Sequence, residues 1–243
     1  MSKHIFICAL VSVVGMLVGC GDSTSPPTQI GSLSLSAGYS TSPPSAYQKV
    51  GVVAAVDSIK ISRARFSLRD ITFKGQEDSL NYITSPFILE VNLSGALQNV
   101  AVVNVPFRTY RRVEFDVHRV EPADLTGLPD SERAQFADFL AGDRYSIIIN
   151  GTVYLNGGGP QPFVFRSRIN ARQRIDLVPE LVVSETSPIA NVTILLSSAN
   201  WFCNAGGVLV DPSELQNESL ISENLKNSIR VFKDNNKDGS KDN

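Results

Sequence analysis

From Ile30 onward apolar and polar residues alternate along the chain, the period of a strand with one face buried. Ile30-Gly31-Ser32-Leu33-Ser34-Leu35-Ser36 alternates strictly and predicts a short first strand. Ile59 and Ile61, then Phe66 and Leu68, predict strands broken near Ser62 to Arg65, and Ile71 and Phe73 lead to a turn at Lys74-Gly75. Phe87, Leu89, Val91 and Leu93 share one face of a strand that stops at Ser94-Gly95. Val100, Val102 and Phe107 flank Pro106, and Val113, Phe115 and Val117 alternate with Glu114, Asp116 and His118, whose face should be solvated. Tyr145 to Leu155 and Phe163 to Ile169 surround Asn156-Gly157-Gly158-Gly159-Pro160, a hairpin signal; Ile175–Val183 and Ile189–Leu196 add two more strands.

Two stretches leave this period. Asp130-Ser131-Glu132-Arg133, followed by Phe136, Phe139 and Leu140, predicts a short helix capped by Asp130 or Ser131 and ended by Gly142. Asp211-Pro212-Ser213-Glu214 reads as a capping box, opening a helix to about Ile229 with Leu220, Ile221, Leu225 and Ile229 inward. Nine or ten short strands with helices at the margins predict a mainly β fold. The expected architecture is an antiparallel β-sandwich, transthyretin- or immunoglobulin-like, with a short inserted helix and a C-terminal helix. Its core should contain Phe87, Leu89, Val91, Val113, Phe115, Val117, Ile147, Ile149, Phe163, Phe165, Ile194 and Leu196.

The N-terminus follows a different rule. Ile5 to Gly19 is an apolar run behind Lys3 and His4, shorter than the ~20 residues a spanning helix needs. It ends in Leu17-Val18-Gly19-Cys20, and a Ser/Thr/Pro-rich stretch follows. Leu17 to Cys20 resembles the lipobox of bacterial lipoprotein signal peptides. The resemblance implies cleavage before Cys20, a diacylglyceryl thioether on its sulfur and acylation of its new amino group. It places the protein in the bacterial cell envelope, held to a membrane by its lipid. Gly21, where an acidic residue would retain it, favours the outer membrane. The chain then divides into a signal segment (1–19), a lipidated cysteine and tether with a first short strand (20–45), a β-sandwich (46–205), a C-terminal helical region (206–233) and an Asp/Asn-rich tail (234–243).

The first half carries a second resemblance. Gly31 to Leu35, Val56 to Ile59 leading to Phe66-Ser67-Leu68-Arg69-Asp70-Ile71, Phe87 to Leu93 and Tyr110 to Phe115 look like a family of bacterial envelope lipoproteins. The family implies a transthyretin-like sandwich and supplies no catalytic residues to carry over.

Charge narrows the function. The chain has 22 basic and 24 acidic side chains; removing residues 1–19 takes Lys3 and leaves 21 against 24. That balance excludes a nucleic-acid binder, which needs a strongly basic face. With Cys8 removed and Cys20 lipidated, Cys203 has no cysteine to pair with. Among candidate chemistries, Glu114 and Asp116 share a strand face at a separation of ~7 Å, a spacing two glycosidase carboxylates use. His118 has neither a G-x-S-x-G elbow nor an H-E-x-x-H partner. The sharpest signal is Asp234-Asn235-Asn236-Lys237-Asp238-Gly239-Ser240-Lys241-Asp242, which fits D-x-N-x-D-G-x-x-D. It resembles the calcium loops of EF-hands, dockerins and thrombospondin type 3 repeats, with Ile229 to Phe232 in the place of the incoming helix. In such loops oxygens at positions 1, 3 and 5 converge on Ca²⁺ and glycine at position 6 makes the turn. The resemblance nominates Asp234, Asn236, Asp238, the Ser240 carbonyl and Asp242 for a weak Ca²⁺ site, since no position-12 glutamate follows. The reading as a whole is a non-enzymatic, lipid-anchored module for binding, adhesion or structure, with an envelope protein or glycan as partner. The alternatives are an envelope glycan hydrolase using Glu114 and Asp116, or a glycan-binding surface built from Tyr82, Tyr110, Tyr145 and Tyr154.

Overall fold

The structure is a computed structural model that describes residues 29–41, 55–76, 79–83 and 85–243. The signal segment, Cys20 and both proline-rich stretches of the tether lie outside those residues. Among the described residues eleven strands form two sheets. They are β1 (Ile30–Ser40), β2 (Val56–Lys74), β3 (Ser79–Ile83), β4 (Phe87–Glu90), β5 (Gln98–Pro106), β6 (Arg108–Val117), β7 (Ile147–Leu155), β8 (Pro160–Ser167), β9 (Ala171–Val183), β10 (Ile189–Ser197) and β11 (Ile229–Lys233). One sheet runs β11-β10-β1-β5; the other runs β8-β7-β2-β6-β9, with β3 and β4 paired to the far side of β2. Every pairing is antiparallel except β1 with β10, where Ser32 faces Ile189 and Ser40 faces Ser197 in parallel register. The sandwich expected from the strand pattern is therefore present, with one parallel seam. The strand first assigned to the tether lies inside its smaller sheet, between β10 and β5.

Period-two burial explains the core. Leu33, Leu35 and Ala37 of β1 and Ala190, Val192, Ile194 and Leu196 of β10 face inward against Phe66, Phe115, Ile147 and Phe165 of the larger sheet. Of the twelve core residues expected from the sequence, eleven are buried; Phe87 is half-buried and packs against the same cluster. Trp201, in the loop after β10, fills the centre. Its ring lies 5.8 Å from Phe66 and 6.1 Å from Tyr39, and its indole N–H donates to Ser228 Oγ at 2.8 Å. At Gly151 a Cβ would lie 2.5 Å from Lys60 O and 2.7 Å from the Phe163 ring, so only glycine fits between those strands.

Three expected elements differ. Residues 62–65 do not break β2, which continues for 19 residues. Register shifts at Ile61/Arg63 and Arg69/Thr72, with Asp70 at φ 54°, let this one strand leave β7 and pair with β6. The bulges absorb the polar run that read as an interruption. The inserted helix is two short pieces, α1 (Asp130–Ala134) and α2 (Ala137–Leu140). Pro129 occupies the N-cap position, and the Asp130 carboxylate pairs with Arg133 without capping the helix. Near the C-terminus, the Asp211 carboxylate accepts from Ser213 N at 2.8 Å in a local turn. The helix α3 starts only at Glu218 and ends at Asn227. Ile221 and Leu225 point inward as expected, but Ile229 belongs to β11, which pairs with β10 from Leu196 to Val192. The apolar and β-branched run Ile229 to Phe232 suits a strand, and a helix continued through it would leave β10 an open edge.

The segment 118–146, between β6 and β7, packs a second cluster of Val120, Leu125, Phe136, Phe139 and Ile148 on the outward face of the larger sheet. It covers Arg65, whose Nη2 donates to Asp138 at 2.8 Å and whose guanidinium lies 5.4 Å from the Phe139 ring.

Candidate functional site

The tail is built on the outward face of the smaller sheet. Ser34 and Ser36 of β1 and Asn191 and Thr193 of β10 point away from the core, yet all four are buried. Asn191 Oδ1 accepts from Ser34 Oγ (2.7 Å) and Ser36 Oγ (2.9 Å), and its Nδ2 donates to Thr193 Oγ1 (3.2 Å) and Asp234 O (2.9 Å). Backbone bonds hold the tail to the same strand: Asp234 N donates to Asn191 O at 3.0 Å, and Asn191 N to Asn235 Oδ1 at 3.0 Å. The chain leaves β11 already stitched to β10.

Asp234 is 0% exposed. Its Oδ2 accepts from Thr193 Oγ1 (2.7 Å) and Gly239 N (3.1 Å), and its Oδ1 from Asp238 N (3.0 Å). Among the described residues no arginine or lysine pairs with it. Three donors ease the burial of this carboxylate, but a buried carboxylate without a counter-charge still carries a desolvation cost that a cation would offset. The turn itself needs the left-handed region at Lys237 (φ 57°) and Gly239 (φ 80°). Asn236 Oδ1 accepts from Asp238 N at 3.3 Å, and Asn236 Nδ2 donates to Asp238 Oδ2 at 2.8 Å. The Asp238 carboxyl is held below its usual range by the backbone N–H of Ser240, at 2.7 Å, and then by Asn236.

The fold thus brings Asp234, Asn236 and Asp238 to one turn. Asp242 closes the loop back onto β11: its Oδ2 accepts from Asn235 N (2.8 Å) and its N–H donates to Lys233 O (3.0 Å). Ser240 lies within the turn through its N–H. The incoming element is a strand, so the helix-loop arrangement of an EF-hand is absent from this loop. No three His, Cys, Asp or Glu side chains among the described residues gather closely enough to hold a metal by themselves. A cation here would draw on Asp234, Asp238 and the Asn236 amide. Thr193 and Asn191, which position Asp234, were invisible to motif reading. The alternation Ser32-Leu33-Ser34-Leu35-Ser36 marked their face as polar but gave no sign that a distant tail covers it.

The other candidate chemistry is committed elsewhere. Glu114 is buried: its Oε2 accepts from Arg172 Nη2 at 2.8 Å, and Arg112 Nη1 lies 3.9 Å from Oε1. Desolvation raises its pKa, but the hydrogen bond and charge of Arg172 outweigh burial, and the carboxyl sits below its usual range. A general acid needs the opposite shift. Arg112 also binds Asp176 (2.6 Å) and Arg111 binds Glu180 (2.9 Å), so this face carries a ladder of cross-strand ion pairs. His118, expected on a solvated face, is 8% exposed. The chain turns beneath the 118–146 segment, and His118 Nε2 bonds Asp124 Oδ2 at 2.7 Å. That carboxylate also accepts from Arg69 Nη1 (3.0 Å) and Glu121 N (2.8 Å). Tyr82 and Tyr110 are in the core, where burial pushes the Tyr82 phenol up and its O–H lies 2.9 Å from Leu33 O. Tyr145 stacks under Arg166 at 5.6 Å, and Tyr154 alone of the four is exposed, so they form no row. The Cys203 thiol donates to Ala199 O at 3.8 Å.

No protein-family model, curated protein or solved structure matches the chain.

Proposed function

We propose that this chain is a non-enzymatic, lipid-anchored β-sandwich of the bacterial cell envelope with a binding, adhesion or structural role. Leu17 to Cys20 supports the anchor. The observation that carries the non-enzymatic reading is Glu114, the carboxylate best placed by spacing for hydrolysis, held ionised by Arg172. Three acyl chains on Cys20, each contributing ~0.8 kcal/mol per buried CH₂, would make the attachment effectively permanent. Fractionation of cells producing the full chain tests the anchor: wild type is expected in the membrane fraction and Cys20→Ala in the soluble fraction. A Cys20→Ala protein retained as firmly as wild type overturns it.

The tail loop adds a Ca²⁺ site to this reading. Asp234, Asn236 and Asp238 supply hard oxygen donors at one turn, and the buried charge of Asp234 favours a cation. The expected Kd is ~10⁻⁴–10⁻³ M, the range of extracellular modules. Calorimetric titration of the protein with CaCl₂ should give heats that an Asp234→Asn, Asp238→Asn variant lacks. Equal heats from both proteins would reduce the loop to a structural turn.

A further inference from the structure

The end of the sandwich where the tether enters is built from three chain segments. Ile30 pairs with Pro106, Arg108 with Val183, and Ser32 with Ile189, so the start of β1, the β5–β6 turn and the β9–β10 turn meet there. They are tightly joined: Ser32 N donates to Pro188 O at 2.7 Å and Phe107 N to Gln29 O at 3.0 Å. A Cβ on Gly31 would lie 2.4 Å from Pro188 O and 2.5 Å from Val183. Yet this closed end shows solvent three large aliphatic side chains, Ile30 (56% exposed), Val182 (48%) and Ile189 (70%). The β9–β10 turn carries one charge, Glu185, among the hydroxyls of Ser184, Thr186 and Ser187, and Arg108 lies across from Val183. The end is nearly neutral.

Ile30 lies ten positions after Cys20. At a full extension of ~3.3–3.6 Å per residue that stretch spans roughly 35 Å. A lipid on Cys20 therefore keeps this end within roughly 35 Å of the bilayer, at high effective concentration. We infer that Ile30, Val182 and Ile189 seat the sandwich on the membrane surface that holds its lipid, with Cys20 anchoring and this end fixing orientation. The inference rests on the anchor reading above. The occupant is the interfacial layer of a lipid bilayer, because the near-neutral, aliphatic end offers little to a polyanion and is already tied beside lipid.

The opposite end supplies a control. β2 runs antiparallel to β6, its Lys74 end toward Arg112 and its Val56 end beside Leu155, so the β7–β8 turn projects away from the tether. A dye would be placed at Thr186→Cys or Gly159→Cys, each in a Cys203→Ala background. The full-length lipidated protein would be reconstituted in phosphatidylcholine vesicles containing nitroxide-labelled lipid. Stronger quenching at 186 than at 159 is expected, with the difference lost in an Ile30→Asp, Ile189→Asp variant that remains vesicle-bound. Equal quenching at both positions, with the lipid on Cys20 verified by mass, overturns the inference and spares the anchor. An unmodified Cys20 in protein that does not pellet with vesicles overturns both.

Discussion

Replacing Thr193 with valine keeps the volume and β-branching of the side chain and removes one hydroxyl. That hydroxyl donates to Asp234 Oδ2 at 2.7 Å and accepts from Asn191 Nδ2 at 3.2 Å. Both the residue and its carboxylate partner are 0% exposed, so water does not take its place without rearrangement. A hydrogen bond to a charged group contributes ~1.5–3 kcal/mol, and the Asn191 amide losing one of its two acceptors adds about 1 kcal/mol. Thr193→Val should therefore cost ~2.5–4 kcal/mol, measured by urea denaturation at pH 7 in EDTA. The effect arises from one buried carboxylate losing one of three donors, so Asp234→Asn in the same background should reduce the cost, because the charge needing those donors is gone. The variant should also weaken Ca²⁺, since Thr193 holds Asp234 in the turn. A loss below ~0.5 kcal/mol would refute the view that the tail is a folded part of the sandwich.

Phe115→Ala, at a position 1% exposed, should cost ~3–5 kcal/mol in the same denaturation assay. Gly151→Ala forces a Cβ against Lys60 O and the Phe163 ring and should destabilise by ~1–3 kcal/mol, while Gly159→Ala, with open space around it, should be near neutral. The folded-state pKa of Glu114 lies below its ordinary 4.5, so its contribution is full above that value and disappears as pH falls through the depressed pKa. Stability measured from pH 6 down to pH 2 should fall less steeply in Glu114→Gln than in wild type; parallel curves would mean that Arg172 does not hold the carboxylate.

The strands were legible because one face of each is buried against a single core. Phe115 and Ile194, far apart in sequence, each announced their orientation by local alternation alone. What alternation cannot reveal is which strands touch. The parallel seam between β1 and β10 joins residues about 157 apart, as Ser34 and Asn191 are. The long β2 was misread because a bulge looks like a break when only the side-chain period is read. Ile229 fitted a helical stripe as well as a strand, and the open edge of β10 decided between them. Of the candidate site, the sequence located the turn, since Asp, Asn and Gly at fixed offsets have few other uses. The bond from Asn235 N to Asp242 was not legible there, because it depends on the tail folding back over β11. His118 read as solvated from its neighbours on β6; its burial comes from the 118–146 segment, which crosses over that end of the strand.

The proposed anchor can be tested directly on the N-terminal peptide of protein extracted by detergent from native membranes. Mass spectrometry should find a chain that begins at Cys20, with a diacylglyceryl group on the sulfur and a further acyl chain on the amino group. A peptide that runs unbroken from Gly19 through an unmodified Cys20 would contradict the account.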